Sequence, residues 1–172
     1  MVPRLPFVTE RLSLGPVSEA DLPRLFGILG DAKVMKLALY ERPLTIEEAR
    51  QFIADDFAKS ADDVTRLGVL RRKDDNIIIG FAGLLPCNYF PGDLEFGVVL
   101  AAGQQGKGYA TEIAGKLIEI GFGMLGCQRI LALCDPRNDA SRNVMEKLGM
   151  TSIGEIPTPD RGPRMVFEIA RV

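Results

Sequence analysis

The stretch that most restricts the architecture is a strand that runs through a glycine-containing turn straight into a long amphipathic helix. Residues 93–100 read as a strand after the Pro91-Gly92 turn, and Gln104-Gln105-Gly106-Lys107-Gly108 supplies the next turn. From Tyr109 to about residue 125, Ile113, Leu117, Ile120 and Met124 step by four, three and four, which is one stripe of a helix. A helix with a single apolar stripe must lie on a sheet, so this segment alone calls for mixed α/β layers.

The remaining chain supplies both kinds of partner. Residues 9–14 open with a strand, and Ser18-Glu19-Ala20-Asp21 offers cap residues for a helix near 22–29. Thr45-Ile46-Glu47-Glu48 is a capping-box pattern, and the helix it introduces carries Ala49, Phe52, Ile53 and Phe57 on one face. Residues 66–72 and 77–85 flank the turn-forming Lys73-Asp74-Asp75-Asn76, so the middle of the chain is an antiparallel meander. Residues 129–134 form a short apolar run of the kind buried on both faces. Residues 138–148 predict a capped helix ending at Gly149 in the left-handed position. Residues 151–156 and 165–170 are two further strands, joined by a Pro- and Gly-rich loop over 157–163.

Composition narrows the chemistry. A chain of 172 residues suits one domain, and no Pro/Gly/Ser linker divides it. With 21 Lys+Arg against 23 Asp+Glu the net charge is −2, which leaves little drive toward nucleic acid or anionic lipid. No apolar run approaches a membrane span of roughly 18 residues, and the N-terminus has no secretory pattern, so the expected location is cytoplasmic. Cys87, Cys127 and Cys134 are odd in number and lack metal-site spacing, which reads as buried structural thiols. The chain has no His, and this removes Ser-His-Asp, Cys-His and His-metal chemistry together. Any base is a carboxylate, lysine, tyrosine, thiolate or water.

A glycine-containing turn opening a helix leaves outward-pointing N–H groups with the helix dipole behind them, which suits an anionic phosphate. The dinucleotide pattern fails because Thr111 stands where its third Gly or Ala belongs. The P-loop fails because Gly108 follows Gly106-Lys107 and Ala101 lies five residues before Gly106. A pyrophosphate cradle of neither type is left.

Four motifs in order then carry a resemblance over nearly the whole chain. They are Thr9-Glu10-Arg11-Leu12, Glu95-Phe96-Gly97-Val98, residues 105–112, and Asn138-x-x-Ser141-x-x-Val144-x-Glu146-Lys147-Leu148-Gly149-Met150. With them the chain resembles the GCN5-related N-acetyltransferase family (GNAT), in particular its branch acting on ribosomal-protein N-termini. The resemblance implies one N-acetyltransferase domain over residues 1–172. It implies an α/β (α+β) GNAT fold with a mixed, mostly antiparallel sheet of about six to seven strands, about four flanking helices and splayed central strands. It further implies acetyl-CoA as co-substrate, no metal, and direct transfer of acetyl to a primary amine. The acceptor is a protein N-terminus or a small amine such as an amino acid, polyamine or aminoglycoside, and the protein is a monomer or homodimer. The alternative is a non-catalytic module that binds acyl-CoA.

Position by position, the resemblance assigns the pantetheine arm to the backbone of Val98, Val99 and Leu100. It assigns the pyrophosphate to Gln105, Gly106, Lys107, Gly108, Tyr109, Ala110 and Thr111. Asn138 is expected to reach the pantetheine, Asn143 to contact the cofactor, and Ser141 to protonate the leaving thiolate. The chain departs from the family at Gly103, where Gln or Arg is frequent, and at Met145, where many relatives carry the Tyr general acid.

Chemistry requires a neutral amine, hence a base on the acceptor side. By two-residue alternation Glu95 shares a strand face with Gly97 and Val99 just upstream of the thioester site, which makes it the choice of base, the other reading of this residue being a solvated strand carboxylate. Asp93 is the second choice, and the oxyanion is expected at backbone N–H groups near Val99. Tyr89-Phe90-Pro91 is either loop packing or a wall of the acceptor pocket.

Overall fold

Capping and turn residues set most of the element boundaries. The computed structural model describes residues 2–172. The elements are β1 (Phe7–Val8), β2 (Leu12–Gly15), α1 (Leu22–Leu29), α2 (Ala32–Met35), α3 (Ile46–Asp56), β3 (Leu67–Arg72), β4 (Ile78–Pro86), β5 (Leu94–Leu100), α4 (Tyr109–Gly123), β6 (Arg129–Cys134), α5 (Asp139–Lys147), β7 (Thr151–Thr158) and β8 (Gly162–Ala170). The capping box at α3 forms as expected: Thr45 Oγ1 accepts from the Glu48 amide at 3.2 Å and the Glu48 carboxylate accepts from the Thr45 amide at 2.9 Å. Gly149 takes φ 79° beyond α5, the left-handed stop read from the sequence.

The eight strands form one sheet in the order β1-β2-β3-β4-β5-β6-β8-β7. Every neighbouring pair is antiparallel except β5 with β6, which are joined through α4 and run parallel. This is the expected mixed, mostly antiparallel sheet, with the two-residue β1 added at one edge and the single-turn α2 added to the helices. Phe57 departs from its expected place: it is the extended C-cap residue of α3, fully buried, with its ring against Phe52 and Phe81.

The hairpin of β7 and β8 also outruns its expected length, because its strands continue through Pro157 and Pro163, which pair. Pro157 lies on the sheet's edge strand, and Pro163 lies beyond the end of β6, whose last residue, Cys134, pairs with Met165. Neither missing N–H breaks a ladder between three strands. Thr158 Oγ1 closes the turn by donating to the Gly162 carbonyl at 2.7 Å and accepting from the Arg161 amide at 3.0 Å.

Each sheet face carries its own core. Leu70, Ala82, Leu84, Phe96 and Leu100 pack beneath α4 and α5 with Ile113, Leu117 and Met145. On the opposite face, Val69, Phe81 and Ala101 pack with Leu25, Ile28, Ile53 and Phe57 of the first three helices. The strands therefore have an α4–α5 face and an α1–α3 face, and successive residues of β5 alternate between them.

The parallel pair is the irregular part of this sheet. β5 pairs along its whole length with β4, from Leu94↔Pro86 to Leu100↔Gly80. Against β6 it pairs only at Leu94↔Ile130 and Glu95↔Leu131. β6 meanwhile stays paired to β8 from Arg129↔Ala170 to Cys134↔Met165. From Phe96 onward the two strands part, leaving the notch that the resemblance implied.

One polar cluster ties the first hairpin to the mouth of that notch. Glu112, in the first turn of α4, accepts at Oε1 from Thr9 Oγ1 at 2.6 Å and from the Arg11 amide at 2.8 Å, and at Oε2 from Arg11 Nε at 2.7 Å. The same guanidinium donates to the Lys107 carbonyl at 3.0 Å and lies 4.5 Å from the centre of the Tyr109 ring. Burial, the largest single effect, favours the neutral form of Glu112, but the hydrogen bonds from Thr9 and Arg11 together outweigh it and hold the carboxyl below its ordinary range.

We expect Glu112→Gln to cost about 1–3 kcal/mol at pH 7, since it weakens hydrogen bonds to a charged group. A depressed carboxyl lends stability that is complete above its unfolded pKa, near 4.3, and that is lost as pH falls through the folded value. The gap between wild type and variant should therefore close below about pH 4, measured by urea unfolding; an equal gap at pH 7 and pH 3 would refute the latch.

Candidate active site

The loop between β5 and α4 is a row of free donors. The Gln104 amide turns back to the Ala101 carbonyl at 3.1 Å, and the Glu112 amide is the next to find a partner, at the Gly108 carbonyl 3.1 Å away. Among the described residues nothing accepts from the amides of residues 105–111. Gly106 and Gly108 hold φ of 76° and 82°, a region that side chains disfavour, and this curls the loop so that its amides stay open. Gln105, Gly106, Lys107 and Gly108 are exposed, and Tyr109, Ala110 and Thr111 are half-buried at the first turn of a 15-residue helix. The helix dipole adds partial positive charge where the amides converge.

Inside the notch the backbone direction can be read from two contacts. The Ala101 amide donates to Ile79 at 2.8 Å, and the Val99 carbonyl presses on the Cα side of Gly80, where any Cβ would collide with it. Val99 and Ala101 thus turn their polar groups toward β4, so alternation turns those of Val98 and Leu100 into the notch. This corrects the expectation at Val99, whose amide is occupied by the sheet. Its side chain lines the α1–α3 face, with Glu95 and Gly97.

Helix α5 brings its candidates to the other face. Asn138 is the cap of that helix, its Oδ1 accepting from the Ser141 amide at 3.1 Å. Its carboxamide oxygen is therefore engaged locally, and the NH₂ is the part left for a ligand. Ser141 is half-buried, one turn before Met145, which is 5% exposed and packs in the core. A Tyr at that position would have to displace this core, which leaves Ser141 as the hydroxyl on the inner stripe. Asn143 is exposed. Arg142, not singled out from the sequence, pairs with Asp139 while its Nε is buried without a partner.

Glu95 sits at the vertex, the last β5 residue still paired to β6. Its side chain is 16% exposed, Oε2 is buried and accepts no hydrogen bond among the described residues, and Oε1 lies 4.0 Å from the Arg161 guanidinium. The Cys87 thiol is pushed up to about 11, first by burial and then by the neighbouring Glu95 carboxylate. Burial likewise lifts Cys134 to about 11, so both thiols are protonated at neutral pH, which favours the structural reading of the cysteines. Asp93 is removed as a base by its ion pair with Arg129, 2.8 Å away, which also holds Glu168 at 3.0 Å.

Three loops come together on this side of the sheet. Tyr89, from the β4–β5 loop, donates to Asp160 at 2.8 Å, and Arg161 lies 5.7 Å from the centre of its ring. The loop after α2 is tied down by buried Arg164, which donates to the Leu39 carbonyl at 3.3 Å and pairs with Glu41 at 3.4 Å and Asp135 at 3.3 Å. Arg137 completes the cluster at 2.7 Å from Asp135, and its hydrogen bonds hold that carboxyl far below the ordinary range. Tyr89 packs against the cluster of Cys87, Leu131 and Val166, and its hydroxyl ties that packing to the β7–β8 turn. Arg161 and Arg164 had no sequence signal, because the Pro- and Gly-rich run around them has no periodicity to place a side chain.

Comparison with known proteins agrees with this arrangement. The family model described as an acetyltransferase (GNAT) domain matches residues 11–151. The uncharacterized N-acetyltransferase YnaD of Bacillus subtilis (strain 168) is 32% identical over 147 residues, 85% of this chain and 82% of its own. The spermidine N(1)-acetyltransferase of Escherichia coli (strain K12) is 26% identical over 145 residues, 84% of this chain and 75% of its own. The crystal structure of a GNAT-family acetyltransferase from Bacillus anthracis superposes with a TM-score of 0.80 at 28% identity, covering 96% of this chain and 98% of that one. No helix among the described residues is long and apolar enough to cross a membrane. By sequence and by architecture, the chain belongs to the GNAT acetyltransferase family.

Proposed function

We propose that residues 1–172 act as one domain that transfers acetyl from acetyl-CoA to a primary amine in a ternary complex. The observation that carries this is the continuity of free backbone donors, from the open amides of residues 105–111 into the parted edge of β5 at Val98 and Leu100. A diphosphate fits the first and an extended pantetheine arm, with its own amides, fits the second. When bound, acetyl-CoA supplies an acyl group activated as a thioester.

The residues of this chain divide the remaining work by sheet face. Glu95, at the vertex and on the α1–α3 face, takes the proton from the acceptor ammonium, directly or through water, so that nitrogen regains its lone pair. The amides of Val98 and Leu100 point into the notch and stabilise negative charge developing on the carbonyl oxygen. Ser141, on the α4–α5 face, passes to the departing thiolate the second proton that the attacking nitrogen sheds as it becomes an amide, so its hydroxyl is restored in the same step. Acceptor and co-substrate therefore approach from opposite sides, which suits direct transfer without a covalent enzyme intermediate. The buried, protonated Cys87 fits that scheme as a packing group rather than a nucleophile.

Replacing Glu95 with Gln should lower kcat by roughly 10²–10⁴-fold and remove the acidic limb of the pH–rate profile, with CoA affinity little changed; an unchanged profile would exclude Glu95. Ser141→Ala should lower kcat more modestly, about tenfold, because a water can replace the donor, and an unaltered kcat would exclude the hydroxyl. Gly108→Ala places a side chain at φ 82° and 3.3 Å from the Arg11 guanidinium. That strain, about 1–2 kcal/mol, should weaken CoA binding about tenfold by calorimetry. Unchanged binding would move the phosphate site elsewhere.

A further inference from the structure

We propose that Arg161 binds a carboxylate carried beside the acceptor amine, which makes the preferred acceptor a free α-amino acid or a close amino-carboxylate. The assignment rests on the acetyltransferase reading above and narrows its acceptor. It starts from an imbalance among the arginines around the site. Arg129, Arg137 and Arg164 each hold a carboxylate at 2.7 to 3.3 Å. Arg161 does not. Its guanidinium donates to no acceptor among the described residues, and its nearest carboxylate oxygen, on Glu95, stands 4.0 Å away.

That guanidinium is held rather than loose. Its side chain is only 20% exposed and its Cζ lies over the Tyr89 ring, 5.7 Å from the ring centre. The backbone beneath it is locked, because the Arg161 amide donates to Thr158 Oγ1 and the same hydroxyl donates to Gly162. A guanidinium carries five N–H donors in a fixed fork, and those of Arg161 are not among the buried unpartnered atoms, so they remain accessible to the acceptors of a ligand. The fork matches a carboxylate in two parallel hydrogen bonds.

The place of this fork sets how the acceptor must be built. An amine giving its proton to Glu95 lies within about 3 Å of that carboxylate. It is then only a few ångströms from Arg161, so the anionic group must be attached close to the nitrogen. An α-amino acid meets this with one intervening carbon. A peptide N-terminus presents a neutral amide at that point, and a polyamine presents only further cations.

The acids nearby are largely spoken for, which weighs against a polycation. Asp160 accepts from the Tyr89 hydroxyl, and Glu41 is shared by Arg137 and Arg164. Asp56 is the remaining acid whose charge reaches Tyr40 at this side of the sheet, and burial followed by repulsion from Asp55 pushes its carboxyl above the ordinary range.

The test is a kcat/KM series on the full chain at saturating acetyl-CoA. Free amino acids are compared with their own carboxamides, with the matching decarboxylated amines, with spermidine and with short peptides, following thiol release. The expected result is a preference of at least about 30-fold for the free acid over its carboxamide. Arg161→Gln should abolish that preference mainly through KM, Arg161→Lys should restore part of it, and CoA binding should be unaltered in both. Equal or better transfer to carboxamides, peptides or spermidine would overturn the assignment while leaving the acetyltransferase reading intact. So would a preference that survives Arg161→Gln. Transfer to no amine while CoA still binds would overturn the proposed function, and this assignment with it.

Discussion

The structure turns on the incomplete pairing of two parallel strands. β5 is fully paired to β4 on one edge yet holds β6 only at Leu94 and Glu95 on the other. In a sheet interior, parted backbone groups are expensive to leave unmatched. Such an opening persists because its surroundings hold both strands: β6 is tied to β8, and the cores beneath α4–α5 and α1–α3 clamp each face. The opening thus becomes a standing row of donors and acceptors inside an otherwise satisfied sheet.

Charge is arranged around that opening with different signs at its two ends. At the mouth, the helix α4 dipole and the free amides favour an anion, and the negative Glu112 in the same turn is engaged by Thr9 and Arg11. At the vertex, Glu95 lies beside the Cys87 thiol, keeps one buried oxygen without a hydrogen bond among the described residues, and stands 4.0 Å from the Arg161 guanidinium. Elsewhere on that side, acids and arginines are paired among themselves, as in the cluster of Asp135, Arg137, Arg164 and Glu41. Satisfied pairs make the scaffold, and unsatisfied groups mark where a substrate completes the network.

Much of this was legible from residue order, and the reasons differ by element. The helix starts at Thr45 and Asn138 and the stop at Gly149 were readable because caps are local hydrogen-bond chemistry. Gly106 and Gly108 were readable because a left-handed backbone before a helix leaves few alternatives. Glu95 was placed on its face by alternation, the most robust regularity of a strand. Phe57 was misplaced because burial by Phe52 and Phe81 overrode the helical stripe. The Val99 amide was expected in the notch but faces β4, with those of Val98 and Leu100 turned to the notch instead, because which edge of a strand an amide serves depends on the neighbour it pairs with. Asp93 was a reasonable second base until Arg129, 36 residues later, was seen to hold it.

What the sequence determined by itself is therefore local: the elements, their caps, the glycine cradle and the face on which a carboxylate projects. These follow from interactions within a few residues, where geometry is set by the backbone period and by hydrogen bonds that close over short loops. What only the tertiary structure decided is which of those groups are left unpaired. Glu95 and Arg161 are 66 positions apart, and Thr9 and Arg11 meet Glu112 across about 100 residues. Whether a charge ends up matched or open depends on the long-range packing of strands and loops, and nothing in the local chain encodes that distance.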